Sequence, residues 1–168
     1  MKTKSKIMKK CLLVSLCLLF ISAGTVPAEE YKALNGLTSV KAIFDFRIGD
    51  PKSAAAHLDL IYQTFQDKSI RAITEKPEFV IAFIGPSVKL ISSKQEGFSP
   101  EDQKVMHEIA DKVTKMSKDG IKMEVCIFAA KFLGVDPATI LPEITHVGNG
   151  WISLIGYQAR GYSIVPAY

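Results

Sequence analysis

The chain is poor in the residues from which strong sites are usually built. Among 168 residues there are three cysteines and three histidines. No C-x-x-C or H-E-x-x-H spacing joins them, so no metal site is expected. The dinucleotide fingerprint is incomplete: "GNGWIS" carries Ser153 where a third glycine belongs, and no acidic residue follows at the required distance. Ser87, after "FIGP", lacks the G-x-S-x-G elbow of an α/β-hydrolase nucleophile. No cofactor is implied by any motif. Internal repeats and low-complexity tracts are absent. The single long apolar run, "CLLVSLCLLFI" from Cys11, is shorter than the roughly 20 residues that cross a bilayer.

That run has another reading. Five lysines and no acid precede it, and the small-residue stretch "SAGTVPA" follows. A basic start, an apolar middle and an A-x-A-like end describe a secretory signal peptide. Residues 1–28 are therefore expected to be removed, with cleavage after Ala28 rather than Gly24, leaving a periplasmic or secreted domain of residues 29–168. Taking those five lysines from the 21 basic residues leaves 16, against 17 acidic ones. The basic character of the precursor disappears, and with it any argument for nucleic acid. Cys11 and Cys17 go too, so Cys126 is the one thiol expected in the processed chain. A lone cysteine in an oxidising compartment pairs between chains, reacts or lies deeply buried.

The remaining sequence alternates two periodicities. "SVKAIFDFRI" (39–48) is β-branched and aromatic and predicts a strand. Asp50 and Pro51 then supply an N-cap and a first helical residue, and Ala54, Leu58, Ile61, Tyr62 and Phe65 recur at helical spacing toward Ser69. "PEFVIAFIG" (77–85) predicts a strand buried on both faces. "VKLISSKQEGF" reads as a short helical turn or loop. Ser99, Pro100 and Gly120 bound a long amphipathic helix. "IKMEV", "ITHV" and "YSIVPA" read as strands, with helices over "IFAAKFLG" and "GNGWISLIGYQARG". This β-α alternation predicts a three-layer α/β/α fold on a mostly parallel five-stranded sheet. The order of the strands is not legible.

Cys126 stands out by its address. It sits at the carboxyl end of a predicted parallel strand, where open α/β sheets place binding crevices. A helix is predicted to start beside it, and free N–H groups there favour an anion such as a thiolate. Free cysteine is also among the most buried and inert residue types. Position alone leaves both readings open.

Three segments, in order, carry a resemblance. "FVIAFIGPSVKLI", "VCIFAAKFLGV" and "GYQARGYSIVP" resemble the second-strand, cysteine and C-terminal segments of the DsrE/DsrF-like (TusD-like) sulfur-relay family, with departures at Ile155–Tyr157 and Arg160. The resemblance implies a parallel α/β domain that assembles into homo-oligomers. It also implies that Cys126 carries sulfur as a persulfide, or acts as a thiol-redox relay, between donor and acceptor proteins. The strand-end loops at Gly85, Pro86 and Ser87 and at Gly148 and Asn149 would line its crevice. Trp151 and the segment Val88–Ile91 are the expected contacts between copies. The competing expectation is a non-enzymatic module that binds a small anion or a partner, with Cys126 as a packing residue.

Overall fold

A computed structural model describes residues Tyr31–Tyr168; the expected signal peptide lies outside the described residues. No helix among them is long and apolar enough to cross a membrane.

The first strand, β1 (Lys41–Phe46), is buried along almost its whole length, as its run of apolar residues requires. The helix α1 (Pro51–Gln66) follows, capped by Asp50, whose carboxylate accepts the Ser53 N–H at 2.8 Å. The sequence suggests a helix continuing to about Ser69, but the structure breaks it at Asp67. That residue adopts extended ψ and caps a separate helix, α2 (Lys68–Ile73), by accepting the Ser69 N–H. Asp competes with the helical backbone in this way, and here local capping outweighs the continuing period.

β2 (Glu78–Phe83) leads through a 3-10 turn at Gly85–Lys89 to α3 (Pro100–Lys118). The latter has Ser99 as its cap and acids in its first turn, and Gly120 takes the positive φ just beyond its end. β3 (Lys122–Cys126), α4 (Ile127–Phe132), β4 (Thr145–Val147), α5 (Gly150–Ala159) and β5 (Ser163–Ala167) complete the chain.

The sheet order is β4-β3-β2-β1-β5, and every pairing is parallel. Three successive steps run in one direction, and the last crosses back over three strands to the far side of β1. Right-handed crossovers in opposite directions place their helices on opposite faces. Accordingly α1 packs with α3 on one face, while α5 lies across β1, β2, β3 and β5 on the other. The five-stranded α/β sandwich expected from the alternation is present, with all strands parallel.

Phe44, Phe46, Phe79 and Phe83 join edge-on and tilted ring contacts beneath α1, where Phe65 reaches Phe79. Leu58, Ile109, Val113 and Met116 are fully buried in the same layer. Truncating one such side chain costs about 2–5 kcal/mol. Val88 and Ile91, expected at a surface between copies, are instead fully buried. Their alternation with Lys89 follows a core-facing turn rather than an exposed loop.

Candidate functional site

Side chains alternate across a strand, and this decides which residues share the face under α5. Asp45, Arg47, Ile84, Glu124 and Cys126 fall on it. Two contacts agree with the assignment: Tyr157 of α5 donates to Glu124 Oε1 at 2.8 Å, and Gly150 of α5 approaches both Ile84 and Cys126. A Cβ at Gly150 would stand 2.7 Å from Ile84 Cδ1 and 3.1 Å from Cys126 Cβ. Only a glycine lets α5 begin this close to the ends of β2 and β3.

Cys126 is both the last residue of β3 and the N-cap of α4. The strand therefore runs one residue further than "IKMEV", and strand and helix meet at the thiol. Its Sγ accepts the Ala129 N–H at 3.4 Å, in the position an N-cap side chain takes. It is 4% exposed.

What exposure it has opens on a cavity of about 420 Å³ at the carboxyl ends of the strands. Ile84, Pro86, Phe128, Phe132, Leu133 and Trp151 give it apolar walls. Gly85 and Asn149, both expected from sequence, line it as well. Gly85 turns the chain at φ +65°, a conformation that suits glycine. Asn149 caps α5 by accepting the Trp151 N–H at 3.0 Å. The other two expected residues are not part of this lining. Ser87 is fully buried, and its hydroxyl donates to the carbonyls of Phe46 and Ile84. Gly148 contributes its carbonyl, which accepts the Phe128 N–H and ties the start of α4 to the loop after β4.

One lining residue was not anticipated. Arg47 follows β1 and reaches the cavity wall. Its Nε donates to both carboxylate oxygens of Asp45, at 2.9 and 3.0 Å. Asp45 is buried within β1, and a buried carboxylate is retained only when paired. The signal was present in "IFDFRI": an acid and a base two residues apart in an otherwise apolar strand must share a face. A second hollow of about 510 Å³ lies at the opposite, amino-terminal end of the sheet, among Glu75, Glu78, Lys118 and Lys122. It contains no thiol.

Residues 41–166 match the DsrE/DsrF-like family. The chain belongs to that family. A curated relative, an uncharacterised protein of Aquifex aeolicus (strain VF5), is 26% identical over 127 residues. The match covers 76% of this chain but only 56% of the relative, so the chain spans little more than half its length. Among solved structures, a protein of unknown function from Methanobacterium thermoautotrophicum superposes with a TM-score of 0.59 at 12% identity. It covers 76% of this chain and 99% of that one. A conserved protein of unknown function from Bacteroides thetaiotaomicron gives 0.53 at 20% identity, covering 75% and 93%. At these identities the likeness establishes the fold. In this DsrE/DsrF-like chain, the matched segment includes both Cys126 and the Arg47–Asp45 pair.

Proposed function

We propose that this DsrE/DsrF-like protein is a sulfur carrier, with Cys126 as the residue that holds sulfur as a persulfide or works as a thiol-redox relay. The family's better understood members pass sulfur between proteins, and the site here suits that chemistry. The observation that carries the reading is the union of thiol, N-cap and cavity at one point: Cys126 Sγ receives the Ala129 N–H and borders an apolar chamber.

In the transfer step the Cys126 thiolate attacks the outer sulfur of a donor persulfide. The donor's S–S bond breaks, its inner sulfur leaves as a thiolate, and a new S–S bond forms at Cys126. The reverse exchange delivers the sulfur to an acceptor thiol without net oxidation. The Ala129 N–H stabilises negative charge on Sγ before attack. The burial of Cys126 at the floor of the cavity limits the access of water to the outer sulfur.

The wider reading includes export and assembly. The basic and apolar features of residues 1–28 support secretion, with Glu29 as the mature N-terminus. Trp151, Ile152 and Ile155 on α5 and Phe128 and Phe132 on α4 are exposed, which favours contact with further copies or with the sulfur donor and acceptor proteins. A second reading, a non-enzymatic module for a small anion or partner with a structural cysteine, is favoured by the small exposure of Cys126.

Mass spectrometry after incubation with a persulfide donor separates the two. One added sulfur on Cys126, absent in Cys126→Ser, supports the carrier. A thiol that neither loads sulfur nor alkylates until the protein unfolds supports the binding module.

A further inference from the structure

Arg47 has a division of labour within its own guanidinium. Nε is fully engaged by Asp45, while Nη1 and Nη2 hydrogen-bond to nothing among the described residues. The side chain is one-third exposed and that of Asp45 7% exposed, so the anchor lies inside while Arg47 itself lines the cavity. The Tyr168 ring sits 6.0 Å from the guanidinium carbon, within cation–π range. An arginine anchored through Nε has fewer orientations open to it and keeps both terminal nitrogens free to donate. Such a fork matches the paired oxygens of a carboxylate or sulfonate, and a pre-organised fork loses less freedom on binding.

The rest of the cavity limits what can carry that group. Two phenylalanines, Trp151, Leu133 and Pro86 leave no second cation. Its volume of about 420 Å³ is in the range of small-molecule sites. We infer that the cavity is an anion subsite: Arg47 binds the carboxylate or sulfonate of a small organic molecule whose apolar body lies between Phe128, Phe132 and Trp151, against Cys126. On the carrier reading proposed above, on which this substrate class rests, the molecule is a low-molecular-weight thiol or persulfide bearing an oxoanion. Arg47 is then the residue that selects anionic over neutral thiols. Asp45 is a positioning residue, acting only through Arg47.

Trp151 is the chain's single tryptophan and lies in the cavity wall, so its fluorescence reports occupancy directly. The purified protein is titrated with benzenesulfonate, benzoate and, as the neutral analogue, benzyl alcohol. Both anions are expected to produce a saturable change, with affinity above that of benzyl alcohol. Arg47→Lys keeps a partner for Asp45 but loses the fork, and should weaken the anions severalfold. The double variant Asp45→Asn with Arg47→Gln leaves no unpaired buried carboxylate, and should weaken them at least tenfold with benzyl alcohol unchanged. Cys126→Ser, which cannot load sulfur, should retain the anion affinity. That arm separates the subsite from the carrier: anion binding without sulfur loading refutes the carrier alone. Sulfur loading with anions bound no more tightly than benzyl alcohol refutes the subsite alone. Equal anion affinity in the double variant and the parent also overturns it.

Discussion

Gly150→Ala tests whether the site is built on a close approach of α5 to the sheet. The added methyl group would lie 2.7 and 2.8 Å from two side-chain carbons of Ile84 and 3.1 Å from Cys126 Cβ. Ordinary carbon contacts lie at about 3.5–4.0 Å. Ile84 borders the cavity and can turn its outer carbon into it at a cost of about 0.5–1.5 kcal/mol. Cys126 Cβ is fixed to the backbone of β3 and cannot yield, so the start of α5 must shift by several tenths of an ångström. Overpacking of this kind costs about 1–3 kcal/mol. Alanine's better helix propensity returns less than the roughly 1 kcal/mol it gives in a helix interior, because position 150 is the first helical residue. The net loss expected is about 1–2 kcal/mol, a melting midpoint lowered by roughly 3–7 °C. Gly156→Ala is the matched control. It lies inside the same helix, has no neighbour within 4 Å of the added atom, and should leave stability unchanged or raise it by up to about 1 kcal/mol. Denaturant unfolding of both variants reads the two signs. If Gly150→Ala proves as stable as the parent, or both variants move alike, helix propensity outweighs the contact with β2 and β3 and the close-approach argument is wrong.

Cys126→Ser should abolish sulfur loading in the mass assay while holding stability to within about 1 kcal/mol, because the hydroxyl can still accept the Ala129 N–H; loss of folding would show that the thiol's role is packing. Ser99→Ala removes the acceptor for the Asp102 N–H, now 3.1 Å from Ser99 Oγ, and should cost about 1 kcal/mol in urea unfolding. An alkaline transition is also expected. Burial, and then the hydrogen bond to Glu124, raise Tyr157 from 10.0 to about 12, and burial with the bond to Glu78 raises Tyr162 likewise. A raised folded pKa means stability that is complete below the unfolded value and is lost as pH rises through the folded one. Stability should therefore fall between about pH 10 and 12, and Tyr157→Phe should flatten that fall when unfolding is followed by circular dichroism.

The elements that could be read from sequence were those whose signals are local. Ser99, Pro100 and Gly120 bounded α3 because capping chemistry is carried by adjacent residues. The strand before Cys126 and the helix after it were legible for the same reason, as was the glycine turn at Gly85. Asp67 was passed over because the apolar stripe of α1 runs through Phe65, within a turn of Ser69, and only the backbone shows that the aspartate caps a new helix. The strand order depended on long-range pairing that no window contains. Arg47 was missed for a different reason: its role requires knowing that β1 lies beside β2 and that α5 covers that face. Ser87 was expected at the crevice because it follows Gly85 and Pro86. Its hydroxyl turns inward instead and donates to the carbonyls of Phe46 and Ile84, tying the turn to the ends of β1 and β2.

The two margins of the sheet have a consequence for how molecules of this protein can meet. β4 is only three residues long, and β5 carries Pro166, which has no N–H to offer a neighbour. Short or proline-bearing borders discourage another chain from adding its backbone to the ladder. Encounters through these borders give little purchase for fibrillar stacking. The partner contact proposed above would then fall to the exposed rings and branched side chains of α4 and α5, where its affinity could be tuned one residue at a time while the scaffold stays untouched.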